Sequence, residues 1–210
     1  MEIEKSLLES LSSDDVTDLS AQLGDIALDH AIESGAFDGV PIFGTIRGLW
    51  KAGIATRDAL YFRKVCLFLK KLQEAPREQR QAFLAELDQR GERDRFASSL
   101  LMMLDRLFDL EAPDILARIM SAHIRGDIPD YSTAVRLMSI VTRSHVPDLG
   151  YLLTFKSGLQ DAEAIADSLF ALGLLASRGL DGGTWEGAHG GTLYELSEYG
   201  RLLVRYGLKG

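Results

Sequence analysis

Four histidines, His30, His123, His145 and His189, and one cysteine, Cys66, carry the side chains best suited to ligating a metal or moving a proton. A helical metal site needs ligands about one turn apart, and none of these residues has a histidine or cysteine three or four positions away. The spacing therefore predicts no zinc or di-iron centre. No Gly-x-Ser-x-Gly elbow, paired catalytic carboxylates or activated Cys-His pair can be picked out, so the chain reads as non-enzymatic and names no catalytic residue. Cys66 sits in "KVCLFLKK" and reads as a buried, inert thiol. His123 falls on an apolar helical stripe and reads as a satisfied core histidine. No cofactor is predicted: the glycines lead into no Gly-Lys-Ser or Gly-Lys-Thr and follow no Walker pattern.

The glycines gather instead in "DGGTWEGAHGG", where five of them surround Trp185 and His189. Upstream, "DAEAIADSLFALGLL" is an apolar-striped helix with a hydrophobic tail. Downstream, "TLYELSEYGRLLVRYG" starts with alternation and becomes helical near Ser197. Leu174 to Ser177 and Thr192 to Leu196 then pair as a hairpin, giving the latter half of a winged-helix-like unit over residues 156–210, with Trp185 and His189 near the tip. Exposed tryptophan is enriched in binding hot spots, so both residues are candidate contacts for a protein partner. Nucleic acid is not the expected partner. The supposed recognition helix, Asp161 to Leu172, holds Asp161, Glu163 and Asp167 and no base, and phosphate would be repelled. A DNA-binding winged-helix regulator stands as an alternative.

The elements before the hairpin form a helical bundle over residues 1–155, and the fold class is mainly α. Phe96, Leu100, Leu101, Leu104, Leu107 and Phe108 recur at helical steps. So do Ile115, Leu116, Ile119, Met120, His123 and Ile124, between Pro113 and Gly126. Pro76 and Gly91 bracket another helix, and one more follows Pro129. Charge is uneven. Met1 to Val40 carries ten acids against Lys5 alone, a net of minus nine, whereas Pro41 to Arg80 carries nine bases against three acids, a net of plus six. Arg57, Lys64 and Lys71 form a row on the basic helix 54–72, a candidate contact for an anionic surface and the basis of a second alternative, a membrane-active effector. The favoured reading has these bases neutralising the acidic front. Leu60 and Leu67 lie off the main apolar stripe, so two faces of this helix are expected to be covered, which suits no lipid surface. The start lacks a signal-peptide pattern, and a cytoplasmic location is expected. Nothing in the sequence sets an oligomeric state.

Two stretches carry a family likeness. "IPDYSTAVRLMSIVTRSHVPDLGYLLTF" and "ALGLLASRG…LYELSEYGRLLVRYG" resemble the abortive-infection alpha type of bacterial protein and related helical families found near phage-defence genes. The resemblance implies a cytoplasmic bacterial interaction or regulatory protein working in phage defence. It carries over no catalytic residues, and the acidic N-terminal block has no counterpart in it.

Overall fold

The computed structural model describes residues 2–13, 39–50, 56–159, 163–182 and 190–209. The chain is mainly helical with one small antiparallel sheet, as the apolar spacing predicts. No described helix is long and apolar enough to cross a membrane. Contacts divide the chain into two compact units, Met1–Ala134 and Val135–Gly210, so the division falls upstream of the 155/156 boundary drawn from sequence.

The first unit contains α1 (Glu2–Ser12), α2 (Pro41–Trp50), α3 (Thr56–Leu72), α4 (Arg77–Gln89), α5 (Arg93–Arg106) and α6 (Ala112–Ile124). Its core takes in Leu100, Leu104, Leu116, Ile119 and Met120, which periodicity places inward, together with Leu7, Ile42, Phe43, Phe62 and Phe68, all of them buried. The Phe43 and Phe62 rings meet at 4.6 Å between centroids. Polar links lock α1 to α2 within this apolar setting. Ser10 Oγ accepts from the Ile42 amide at 3.0 Å, and the Ser6 and Thr45 hydroxyls lie 2.6 Å apart. Two helices end as the glycines predict. Gly91 and Gly126 take φ values of 66° and 84°. The amide after each one reaches back to the carbonyl that closes the helix, Glu92 to Leu87 and Asp127 to Ala122, both at 2.9 Å.

One expectation is overturned here. The apolar period of α5 extends to Phe108, but the helix stops at Arg106, Leu107 is extended, and Phe108 is fully exposed while Leu107 is buried. Asp109 Oδ1 accepts from the Glu111 amide at 2.8 Å, a local turn that competes with further helix.

The second unit begins within α7 (Tyr131–Arg143) and continues through two short turns, α8 (Val146–Leu149) and α9 (Tyr151–Thr154), to α10 (Glu163–Ala171). The hairpin β1 (Leu175–Asp181) and β2 (Gly191–Leu196) follows, then α11 (Glu198–Leu203) and a π-helical turn, Val204–Leu208. The order helix, strand, strand, helix is as read from sequence, and the strands run on to pair Asp181 with Gly191. The register slips between Ser177 and Gly179, so Arg178 is an extra residue, and Gly179 absorbs the kink at φ 127°. Gly158 and Tyr194 exchange two backbone hydrogen bonds of 2.9 Å, which ties the preceding segment to β2. Ser197 caps α11, accepting from the Gly200 amide at 3.0 Å and donating to the Gly173 carbonyl at 2.6 Å.

Candidate functional site

A cleft of about 520 Å³ opens in the first unit between α4 and the connection from α6 to α7. That volume lies in the range of small-molecule pockets, about 300–1,000 Å³. One wall is the stripe Gln79, Phe83, Glu86, Leu87 and Arg90, which the 3.6-residue period of α4 aligns on one face. The other wall comes from the end of α6 and the turn beyond it, with His123, Arg125, Pro129 and Tyr131.

Gly126 turns the chain so that Ile128 comes back over the last turn of α6. His123 Nδ1 then donates to the Ile128 carbonyl at 2.7 Å. A carbonyl only accepts, so Nδ1 carries the proton, and Nε2 is an acceptor whenever the ring is neutral. Three rings form a cluster in this region. Phe83 meets His123 edge-on at 5.6 Å and 90°, Tyr131 lies 5.7 Å from His123, and Phe83 and Tyr131 are 6.3 Å apart. Phe96 backs the group, at 5.4 Å from Phe83. Such tilted and edge-on geometries are the favoured aromatic arrangements.

Charge on the rim is distributed among weak and strong partners. Arg90 pairs with Glu86 one helical turn away, and Arg125 Nε with Asp127 Oδ2 at 3.1 Å, both pairs being open to solvent. Asp130 is fully engaged: the hydroxyls and amides of Ser132 and Thr133 all donate to it, and these bonds hold its carboxyl down at about 2. It thereby caps α7. Tyr131 is half-buried, and burial, reinforced by the charge of Glu92 and opposed by Arg95, pushes its hydroxyl upward.

His123 thus differs from the core histidine expected: it is satisfied at Nδ1, but it is half-buried and lines a cleft. Sequence reasoning missed Phe83, Arg90, Arg125 and Tyr131, although the Gly126 to Pro129 punctuation marks the turn that brings two of them to the cleft. Trp185 and His189 lie outside the described residues. The side chain of Arg57 does so too. Lys64 and Lys71 do not form a surface row. Lys64 is only 9% exposed, and its Nζ donates to the Asp105 carbonyl at 3.3 Å, so it bridges α3 to α5 instead of facing outward. Lys71 pairs with Glu74. Leu60 is 51% exposed, so the second face of α3 is not covered at that position. Cys66 is buried as expected, and burial pushes its thiol well upward. Among the described residues, no group of three or more His, Cys, Asp or Glu side chains is placed to hold a metal. No family model, no curated protein and no solved structure matches the chain.

Proposed function

We propose that this is a non-enzymatic interaction or regulatory protein of the bacterial cytoplasm, acting in phage defence, and that the cleft beside α4 is its recognition site. The supporting observation is how the cleft's polar groups are used. Asp130 is consumed by the helix cap, Glu86 faces Arg90, and His123 Nδ1 is tied to a carbonyl. The lining therefore carries three rings and two arginines against one loosely held carboxylate, a pattern for binding rather than for passing protons between an acid and a base. The defence context comes from the likeness of residues 128–155, 171–179 and 193–207 to abortive-infection proteins. The test is phage plating efficiency on cells carrying wild type, the Arg90→Ala/Arg125→Ala variant or no gene, with the two proteins matched in thermal stability. Protection by wild type and its loss in the variant are expected. Equal protection by both, or none by wild type, defeats the reading.

A further inference from the structure

We infer that the cleft takes a small planar aromatic anion, its ring lodged against Phe83, His123 and Tyr131 and its carboxylate or phosphate held by Arg90 and Arg125. The inference rests on the cleft being the recognition site and adds the chemistry of what is recognised. Three observations support it.

The first is the ring cluster. Phe83, His123 and Tyr131 all line the cleft and meet at tilted and perpendicular angles, so a flat guest there would join an existing aromatic group. The second is unused hydrogen-bonding capacity. Neither His123 Nε2 nor the Tyr131 hydroxyl has a partner among the described residues, and Tyr131 is half-buried. Both groups are open to an aromatic guest that bears a donor or an acceptor.

The third is the sign of the charge that can be recruited. Among the described residues, Arg90 and Arg125 pair only with the solvent-exposed Glu86 and Asp127, four and two positions away. Pairs of that kind are weak, and a ligand carboxylate or phosphate accepting both N–H groups of a guanidinium fork replaces them readily. Of the two carboxylates lining the cleft, only Glu86 is as loosely held, one against two arginines. Asp130 accepts four hydrogen bonds from the first turn of α7, and releasing it would uncap that helix.

The experiment is calorimetric titration and amide chemical-shift mapping of the full chain with defined probes. Adenosine 5′-monophosphate and 4-hydroxybenzoate are the aromatic anions, tyramine the aromatic cation, and inorganic phosphate and cyclohexanecarboxylate the anions without a ring. At least one aromatic anion is expected to bind in the millimolar range or tighter and to shift the amides of Ala82 and Gly126. It should bind at least about tenfold more tightly than tyramine or the ringless anions, and Arg125→Ala should weaken it about tenfold, the loss of one charge-assisted pair. Which of the two anions binds separates a phosphate-bearing ligand from a carboxylate-bearing one. Tyr131→Phe, which keeps the ring and the fold, should weaken binding as well. No binding of either aromatic anion at millimolar concentration, tyramine binding as well as the anions, or binding untouched by loss of both arginines would overturn the inference. If the anions fail but the double arginine variant still loses phage protection, the ligand class falls and the recognition site stands. If the anions bind as expected while that variant protects fully, the site stands and its proposed role in defence falls.

Discussion

The cleft unit and the hairpin unit hold their distinctive features by different means. In the first, side chains far apart in sequence meet: Phe83 from α4, Phe96 from α5, His123 from α6 and Tyr131 from α7 stack into one cluster. In the second, the deciding contacts are made by the backbone and by short local bonds. Gly158 pairs with Tyr194, Ser197 bridges Gly173 and Gly200, and Gly200 runs so close to Leu174 that a Cβ there would collide with the Leu174 carbonyl oxygen. A side-chain cluster is sensitive to what is removed, and a backbone contact to what is added.

The largest effect is therefore expected from deleting the centre of the cluster. Phe83→Ala should cost about 3–5 kcal/mol, because the residue is 8% exposed and the three rings around it cannot collapse into the space together. Urea titration at constant slope measures it. A cost near 1 kcal/mol would show that the cleft wall is held by the helices and not by the rings.

Adding a single methyl group at the close backbone approach should come next. Gly200→Ala asks the chain to move a carbonyl, not the flexible end of a side chain, and about 3 kcal/mol is expected. Gly39, whose added Cβ would meet no atom within 4 Å, is the control, and alanine there should cost far less. Equal effects at the two positions would remove the contrast between the units.

The same contrast explains what was legible in the sequence. Helices with strong periodicity and glycine ends, α4 and α6 above all, can be read directly, because Gly91 and Gly126 supply the left-handed residue that such an end needs. The hairpin can be read from alternation, although Arg178 and Gly179 hide a bulge that alternation cannot show. The cleft could not be read. Its walls are separated by about thirty residues or more of chain, and nothing local to Phe83 says that Tyr131 will lie beside it. Lys64 was misplaced for a related reason. On a helical wheel it joins Arg57 and Lys71, but α5 lies against that side of α3 and ends where the Asp105 carbonyl needs a donor. Phe108 failed through the opposite error, extending a period past the point where the helix stopped.

The two lysines sharpen that point with smaller effects. Lys64→Gln should cost about 1–2 kcal/mol, since it removes the charged donor of a buried side chain from a part-buried carbonyl contact. Lys71→Gln loses a pair with the exposed Glu74 and a favourable charge near Asp114, and should cost about 0–1 kcal/mol. Neither variant is expected to change sedimentation with anionic vesicles from that of wild type. A base-dependent loss of vesicle binding would restore the anionic-surface reading of α3.

The smallest effect at neutral pH is expected at Asp130, where the change shows itself only in acid. The carboxylate is held at about 2, below its ordinary value near 3.8, by hydrogen bonds from the hydroxyls and amides of Ser132 and Thr133. Because its folded-state value is depressed, the unfolded chain binds the proton first as pH falls. The stabilisation is whole above about 4, declines between about 4 and 2, and is gone below that. Asparagine is also a good N-cap, so Asp130→Asn should leave stability at pH 7 nearly unchanged while flattening this part of the acid limb. Denaturant midpoints for both proteins across pH 2 to 5 measure the difference. Parallel curves would mean that the cap of α7 does not depend on charge, and would also weaken the argument that this carboxylate is committed to its helix and closed to a cationic ligand.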